Sequence, residues 1–251
     1  SDKVQQRVQQ MRQRSLRDLR RAAANGFKRL CPLCGYEGLF APVGVPPRLD
    51  ALCPACGSRE RHRLLKLCLD REPLVKPTDV LLHFAPEPQL SATLRKLAKQ
   101  YVTADLMREK MDRTLNVEDM DLPDESFDVI VANHILEHVN HRKALAECFR
   151  CLTPGGRLLL TTPVIDAWEK TYENADIVDP RERLLHFGQA DHIRFFGRDL
   201  KDHMRQAGFL LTEHVSVEPD VARYGLWRGE TLFVLTKPAH RPAARAKVRK
   251  E

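Results

Sequence analysis

The sequence predicts an α/β chain built on a parallel, doubly wound sheet, preceded by a small four-cysteine module. Residues Glu125–Pro163 carry the first half of that reading. Phe127–Ala132 is an apolar, β-branched run, and Ile135, Leu136, Val139, Leu145, Phe149 and Leu152 then recur at helical spacing. Thr153-Pro154-Gly155-Gly156 breaks the helix, and Arg157–Thr162 is a second apolar run. Strand, crossover helix and strand make the repeating unit of a parallel sheet. Two cysteine pairs, Cys31-Pro-Leu-Cys34-Gly35 and Cys53-Pro-Ala-Cys56-Gly57, carry the second half.

At 251 residues the chain has room for one domain of this type and an accessory module. No run of about eighteen apolar residues occurs, so no membrane span is expected. The first residues lack the apolar stretch of a signal peptide, and the expected location is the cytoplasm. The net charge of +7 is unevenly placed: residues 1–29 carry +7, residues 237–251 carry +5, and the 207 residues between sum to −5. A basic balance therefore describes two ends rather than a basic face. Those ends are either solvated or bind nucleic acid or another anionic surface. The expected organisation is a basic helical segment over 1–26, a metal module with its following helix over 27–73, a catalytic domain over 74–238 and a basic tail over 239–251.

Without a secretory signal, seven cysteines argue against a disulfide framework. In each Cys-Pro-x-Cys-Gly knuckle two thiolates face one ion, and the glycine lets backbone N–H groups turn toward sulfur. Cys31, Cys34, Cys53 and Cys56 thus predict a structural zinc site, closed to catalysis because all four positions are filled. So short a module leans on its metal to fold. The following Arg59, Arg61, His62 and Arg63 either balance the charge of four thiolates on one zinc or meet an anionic substrate, with His62 read as helix surface. Cys68, Cys148 and Cys151 are read as packed core residues.

Downstream, Asp79–Phe84 is an apolar strand ending in Ala85-Pro86-Glu87-Pro88, with a helix expected from about Leu90 to Lys99. Tyr101–Asp105 is the next strand and places a carboxylate at its C-terminal end. Leu115-Asn116-Val117 is expected as the third. Phe209–Val217 and Thr231–Thr236 close the sheet. Between them the long connection Val164–Ala207 holds Trp168, Tyr172, Glu173, Arg183 and the cluster His186-Phe-Gly-Gln-Ala-Asp-His192-Ile-Arg194. Long connections in compact α/β domains are usually functional.

The wording FDVIV…LEHV…LTPGG resembles class I S-adenosylmethionine (SAM)-dependent methyltransferases of the small, type 11 kind, over about Thr78–Thr236. The resemblance implies a Rossmann-like seven-stranded sheet and SAM as cofactor. It places the cofactor's amino-acid portion against Phe84, Ala85 and Glu87, and the ribose hydroxyls on Asp105. It sets adenine beside Asn116 and Val117, with Asp119 as rival, and the sulfonium region near Asn133 and His134. Here the sequence departs from the family pattern: His83 takes the usual acidic position, and Ala85 and Glu87 stand where glycines are usual. Histidines near the methyl are candidate general bases for a hydroxyl acceptor, His192 first, with His186 and His134 as competitors. Three functions are open at this point. They are methyl transfer to a small molecule or glycan, methyl transfer to RNA, and a non-catalytic zinc-ribbon adaptor.

Overall fold

A computed structural model describes residues 27–44, 47–107 and 110–239. The segment 1–26, and all but the first residue of the tail 239–251, lie outside them. The described residues fall into two units. One contains those up to Glu72 together with Val215–Glu230; the other contains Pro73–His214 and the residues from Thr231 onward. The boundary expected after residue 73 falls after Glu72, and segment 215–230, expected with the sheet-bearing part, belongs to the unit of the cysteine module.

In the first unit β1 (Arg29–Leu30) pairs antiparallel with β2 (Glu37–Gly38), and β3 (Ala41–Val43) with β4 (Arg48–Leu52). Helix α1 (Glu60–Arg71) follows and buries Leu64, Leu65, Leu67 and Cys68. His62 lies on its inner side, buried, with Nδ1 accepting from the Arg59 N–H at 3.2 Å. The expectation that it sits on the helix surface is therefore wrong: the ring caps the first turn, where backbone N–H groups lack intrahelical partners.

The second unit is built from β5 (Val80–Phe84), α2 (Pro88–Leu97), β6 (Gln100–Asp105), β7 (Arg113–Thr114), β8 (Phe127–Val131), α3 (His141–Cys151) and β9 (Leu152–Leu160). Then come β10 (Tyr172–Glu173), α4 (Pro180–Phe187), β11 (Arg194–Phe195), α5 (Leu200–Gln206), β12 (Leu210–Val215) and β13 (Thr231–Thr236). Seven strands form one sheet in the order β12-β13-β9-β8-β5-β6-β7. Strands β5 to β9 run parallel, and β13 lies antiparallel to β9. Because β5 is flanked by β6 on one side and β8 on the other, the connections diverge there. Ligands of open α/β sheets bind outside the strand C-termini at such a divergence. Leu82, Ile130, Leu158 and Phe233 pack one continuous core with Leu145, Cys148 and Cys151 of α3.

Three local expectations are corrected. The helix after β8 begins at His141 rather than Ile135, with Asn140 as its N-cap. Its lead-in cannot coil because its carbonyls are taken from far along the chain. Arg194 Nη1 donates to the carbonyls of Leu136 (2.8 Å) and Val139, and Ile193 N donates to Glu137 O (3.0 Å). The third strand is Arg113–Thr114, not Leu115–Val117: Asn116 Oδ1 accepts from Glu118 N at 3.0 Å, a local turn that competes with strand pairing. Finally, β9 begins at Leu152 instead of Arg157. Register jumps from Phe127↔Leu152 to Val129↔Arg157, so Thr153–Gly156 form a bulge within the strand.

Candidate functional site

The two cysteine knuckles fold alike. Gly35 N bonds Cys31 O and Gly57 N bonds Cys53 O, both at 2.9 Å, with the glycines at φ +76° and +71° where a Cβ is disfavoured. The turns bring Cys31, Cys34, Cys53 and Cys56 into one cluster whose ligand atoms lie within 4.8 Å of one another. Cys31 and Cys56 Sγ are 3.7 Å apart, as are Cys34 and Cys53. Tetrahedral zinc with Zn–S bonds of about 2.3 Å requires sulfurs about 3.8 Å apart, so the four thiolates fit the ion. Against this cluster lies Arg63, fully buried, donating to the carbonyls of Asp50, Ala51, Ser58, Tyr224 and Gly225. Of the two readings of the basic run, contact with an anionic substrate does not suit Arg63, whose guanidinium is fully buried and spent on carbonyls.

On the sheet side, the C-terminal ends of β5, β6 and β8 gather most of the expected cofactor residues. Phe84 is buried at the end of β5, and Ala85 follows at φ +43°. That is the left-handed backbone a glycine would adopt cheaply, so the turn keeps the geometry of a glycine loop without the glycine. Its N–H bonds Ala104 O of β6 at 2.8 Å. Glu87, N-cap of α2, is held by two side chains. His83 Nε2 is 3.0 Å from Glu87 Oε2, and Asn133 Nδ2 donates to the same oxygen at 3.4 Å. Behind them His83 Nδ1 meets Tyr101 OH at 2.8 Å, and Thr161 Oγ1 donates to Asn133 Oδ1 at 3.1 Å. A polar chain thus crosses β6, β5, β8 and β9 with Glu87 at its middle.

Asp105 ends β6, its Oδ1 accepting from Met107 N at 2.8 Å. Val117 is buried, and Asn116 is exposed on the turn just described. These groups fit SAM by chemistry: a carboxylate for an ammonium, a carboxylate for ribose hydroxyls, and a glycine-like turn for close backbone approach.

Past the end of β8 lies a residue that the sequence reading missed. Glu137 is 1% exposed. Its Oε1 is 2.9 Å from His134 Nδ1, and its Oε2 accepts from Thr162 Oγ1 at 2.9 Å. Burial pushes its pKa upward, but the bonds from His134 and Thr162 outweigh burial and hold it below the ordinary value. The only sequence signal was the H-x-x-E spacing of His134 and Glu137, masked by the apolar neighbours Leu136 and Val139. His134 itself sits at φ +53°. His192 is buried beside His138, ring centroids 4.7 Å apart, and burial depresses its pKa. His186 instead joins an aromatic group, its Nδ1 2.7 Å from Tyr172 OH and its ring against Phe187. The structure therefore brings His134 and His192 together around Glu137 and gives His186 different partners.

Residues 87–160 match a family model described as a methyltransferase domain. The match lies inside the second unit and spans 74 of the chain's 251 residues. Over 116 residues the chain is 32% identical to the ubiquinone/menaquinone biosynthesis C-methyltransferase UbiE of Vibrio campbellii, covering 41% of this chain and 45% of that protein. The chain thus spans less than half the length of this curated relative. Among solved structures, a chain from the complex of the Haloferax volcanii Trm112 methyltransferase activator superposes with a TM-score of 0.51 at 15% identity, over 71% of this chain and 91% of that one. The [4+2]-cyclase SpnF gives 0.51 at 16%, over 74% and 85%. At such identities the likeness is one of fold. A cyclase among the neighbours shows that the methyltransferase fold alone does not name a reaction. No helix among the described residues is long and apolar enough to cross a membrane.

Proposed function

We propose that the second unit transfers a methyl group from SAM to a small-molecule or glycan acceptor at a hydroxyl, and that a structural zinc folds the first unit. One observation supports an acceptor that loses a proton from a hydroxyl. Glu137 holds His134 by Nδ1, which leaves Nε2 as the proton-accepting atom of a side chain that is half-buried at the end of β8. A carboxylate-oriented imidazole is the arrangement of a general base. His192, first choice on sequence, is too enclosed to be preferred over it.

SAM, when bound, supplies a methyl group already activated on a sulfonium. What remains for the protein is alignment and proton removal. Glu87 would receive the ammonium and Asp105 the ribose hydroxyls. His134 Nε2 would take the proton of the acceptor hydroxyl, whose oxygen would gain the methyl group as the carbon–sulfur bonding pair returns to sulfur. The name of the curated relative favours a second reading, a carbon acceptor. It requires the same base, acting on a hydroxyl whose anion delocalises onto the attacking carbon.

Calorimetric titration with S-adenosylhomocysteine tests the cofactor half. We expect one site per chain, weakened at least tenfold in Asp105→Ala; absence of binding to either SAM or its product would end this reading. For the acceptor half, His134→Gln should lower kcat on any acceptor found and leave product binding intact.

A further inference from the structure

Glu137, His138 and His192 each offer one ligand atom, and these atoms lie within 4.8 Å of one another. One imidazole is anchored by its neighbour: His138 Nδ1 lies 3.1 Å from the backbone oxygen of Asp191 and 3.5 Å from its carboxylate. A ring nitrogen against a carbonyl carries the hydrogen, so the other nitrogen of the neutral His138 ring presents a lone pair. Glu137 is fixed by His134 and Thr162 on its two oxygens. Two imidazoles and a carboxylate, all metal-ligating groups, therefore stand within reach of one ion. Outer hydrogen bonds from ligating histidines to carbonyls are what orient them in metal sites. The two rings stand at 81°, so they do not stack on each other.

From this arrangement we infer that Glu137, His138 and His192 bind a divalent transition-metal cation, separate from the four-thiolate zinc. Two imidazoles and one carboxylate suit manganese, iron, cobalt or zinc better than magnesium or calcium, which favour oxygen alone. Three protein ligands leave positions for water or for oxygens of a bound molecule. Its use rests on the methyl-transfer reading: the cation would bind the acceptor hydroxyl, lower its pKa and orient it, with His134 remaining as base and His192 serving as ligand. The site itself stands without that reading.

The test uses the full chain with its thiolate zinc in place, titrated with Mn2+ and followed by electron paramagnetic resonance. Manganese avoids thiolates and so reports the nitrogen–oxygen site. The expected result is one bound Mn2+ per chain, with nitrogen couplings from imidazole in the pulsed spectrum. Binding should weaken at least tenfold in His138→Gln and again in His192→Gln. Retained zinc and unchanged S-adenosylhomocysteine affinity in these variants would show that the fold and the cofactor site survive. Failure of Mn2+ and Co2+ to bind beyond the thiolate equivalent would overturn the inference, as would binding that lacks nitrogen coupling or persists in the double variant. Product binding measured on the same samples separates either failure from failure of the methyl-transfer reading.

Discussion

His83 Nε2 and Glu87 Oε2 face each other at 3.0 Å with one proton between them. The neighbouring bonds require this. Ser91 Oγ donates to Glu87 O, so it accepts from Tyr101 OH; Tyr101 in turn accepts from His83 Nδ1. The second ring nitrogen then meets the carboxyl across a single hydrogen, whether written as imidazolium with carboxylate or imidazole with carboxylic acid. A histidine where the family pattern has an acid, and a glutamate where it has a glycine, thus form one unit.

If Glu87 receives the cofactor's ammonium, Glu87→Gln removes a charge-assisted bond of about 1.5–3 kcal/mol, roughly tenfold to a hundredfold in S-adenosylhomocysteine affinity. His83→Leu should weaken binding less, by releasing Glu87 from its position. Calorimetry decides it. Equal affinities for wild type and Glu87→Gln would mean that the carboxylate serves only the loop.

Arg63→Met keeps the stem and removes the guanidinium. Carbonyls of Asp50, Ala51, Ser58, Tyr224 and Gly225 then lose a buried donor. Each buried acceptor left unpaired costs about 1–3 kcal/mol, so a loss of at least ~3 kcal/mol is expected, confined to the first unit. Denaturant unfolding should show an early transition for that unit while the second keeps its midpoint. A change below about 1 kcal/mol would contradict the role given to this side chain.

The apolar cluster around the knuckles is small and made partly of the ligands themselves: Cys31, Phe40 and Cys53, flanked by Leu33, Tyr36 and Cys56. Stripping zinc with a chelator should therefore unfold it, since structural zinc supplies folding free energy on the order of 10 kcal/mol. The chain's two tryptophans divide between the units, Trp227 in the first and Trp168 in the second. In Trp168→Phe the remaining fluorescence reports the first unit alone. A chelator that leaves that emission unchanged while removing zinc would sink the structural assignment.

Acid should weaken the second unit through His141. Burial, helped by the charges of Arg194, His203 and Arg142 against the opposing pull of Glu173, pushes its pKa down from 6.5 to about 4. The unfolded chain then binds the proton more readily. The stability this supplies is complete above pH 6.5 and is lost as pH falls through the window down to about 4. His192 and His203, also lowered by burial, act in the same direction. Melting temperature should fall across this range, and the slope should flatten in part in His141→Leu, which leaves the ring of Phe196 covered. An unchanged slope would exclude His141 as a contributor.

What the sequence discloses here is what neighbours along the chain decide. The cysteine knuckles are local turns, and their spacing and glycines specify them completely. Strands β5, β6 and β8 are short apolar runs, readable for the same reason. The lead-in to α3 was misread because its helical spacing is real, whereas Arg194, 58 residues beyond Leu136, takes the carbonyls that a helix would use. Glu137 escaped notice because one carboxylate between apolar residues carries no sign of burial. Its partner Thr162 comes from the end of another strand.

Segment 215–230 has a practical bearing. The chain passes between its two units at three points, after Glu72, after His214 and after Glu230, where a tandem arrangement would need one. A cut after Glu72 therefore does not separate them: it yields a cysteine module without the Asp220–Tyr224 helix, and without the Tyr224 and Gly225 carbonyls that Arg63 holds. Shuffling by simple fusion or truncation is closed to this protein. A free-standing version of either unit must be made by circular permutation or by grafting, with 215–230 joined directly to the metal module and the β12–β13 turn rebuilt.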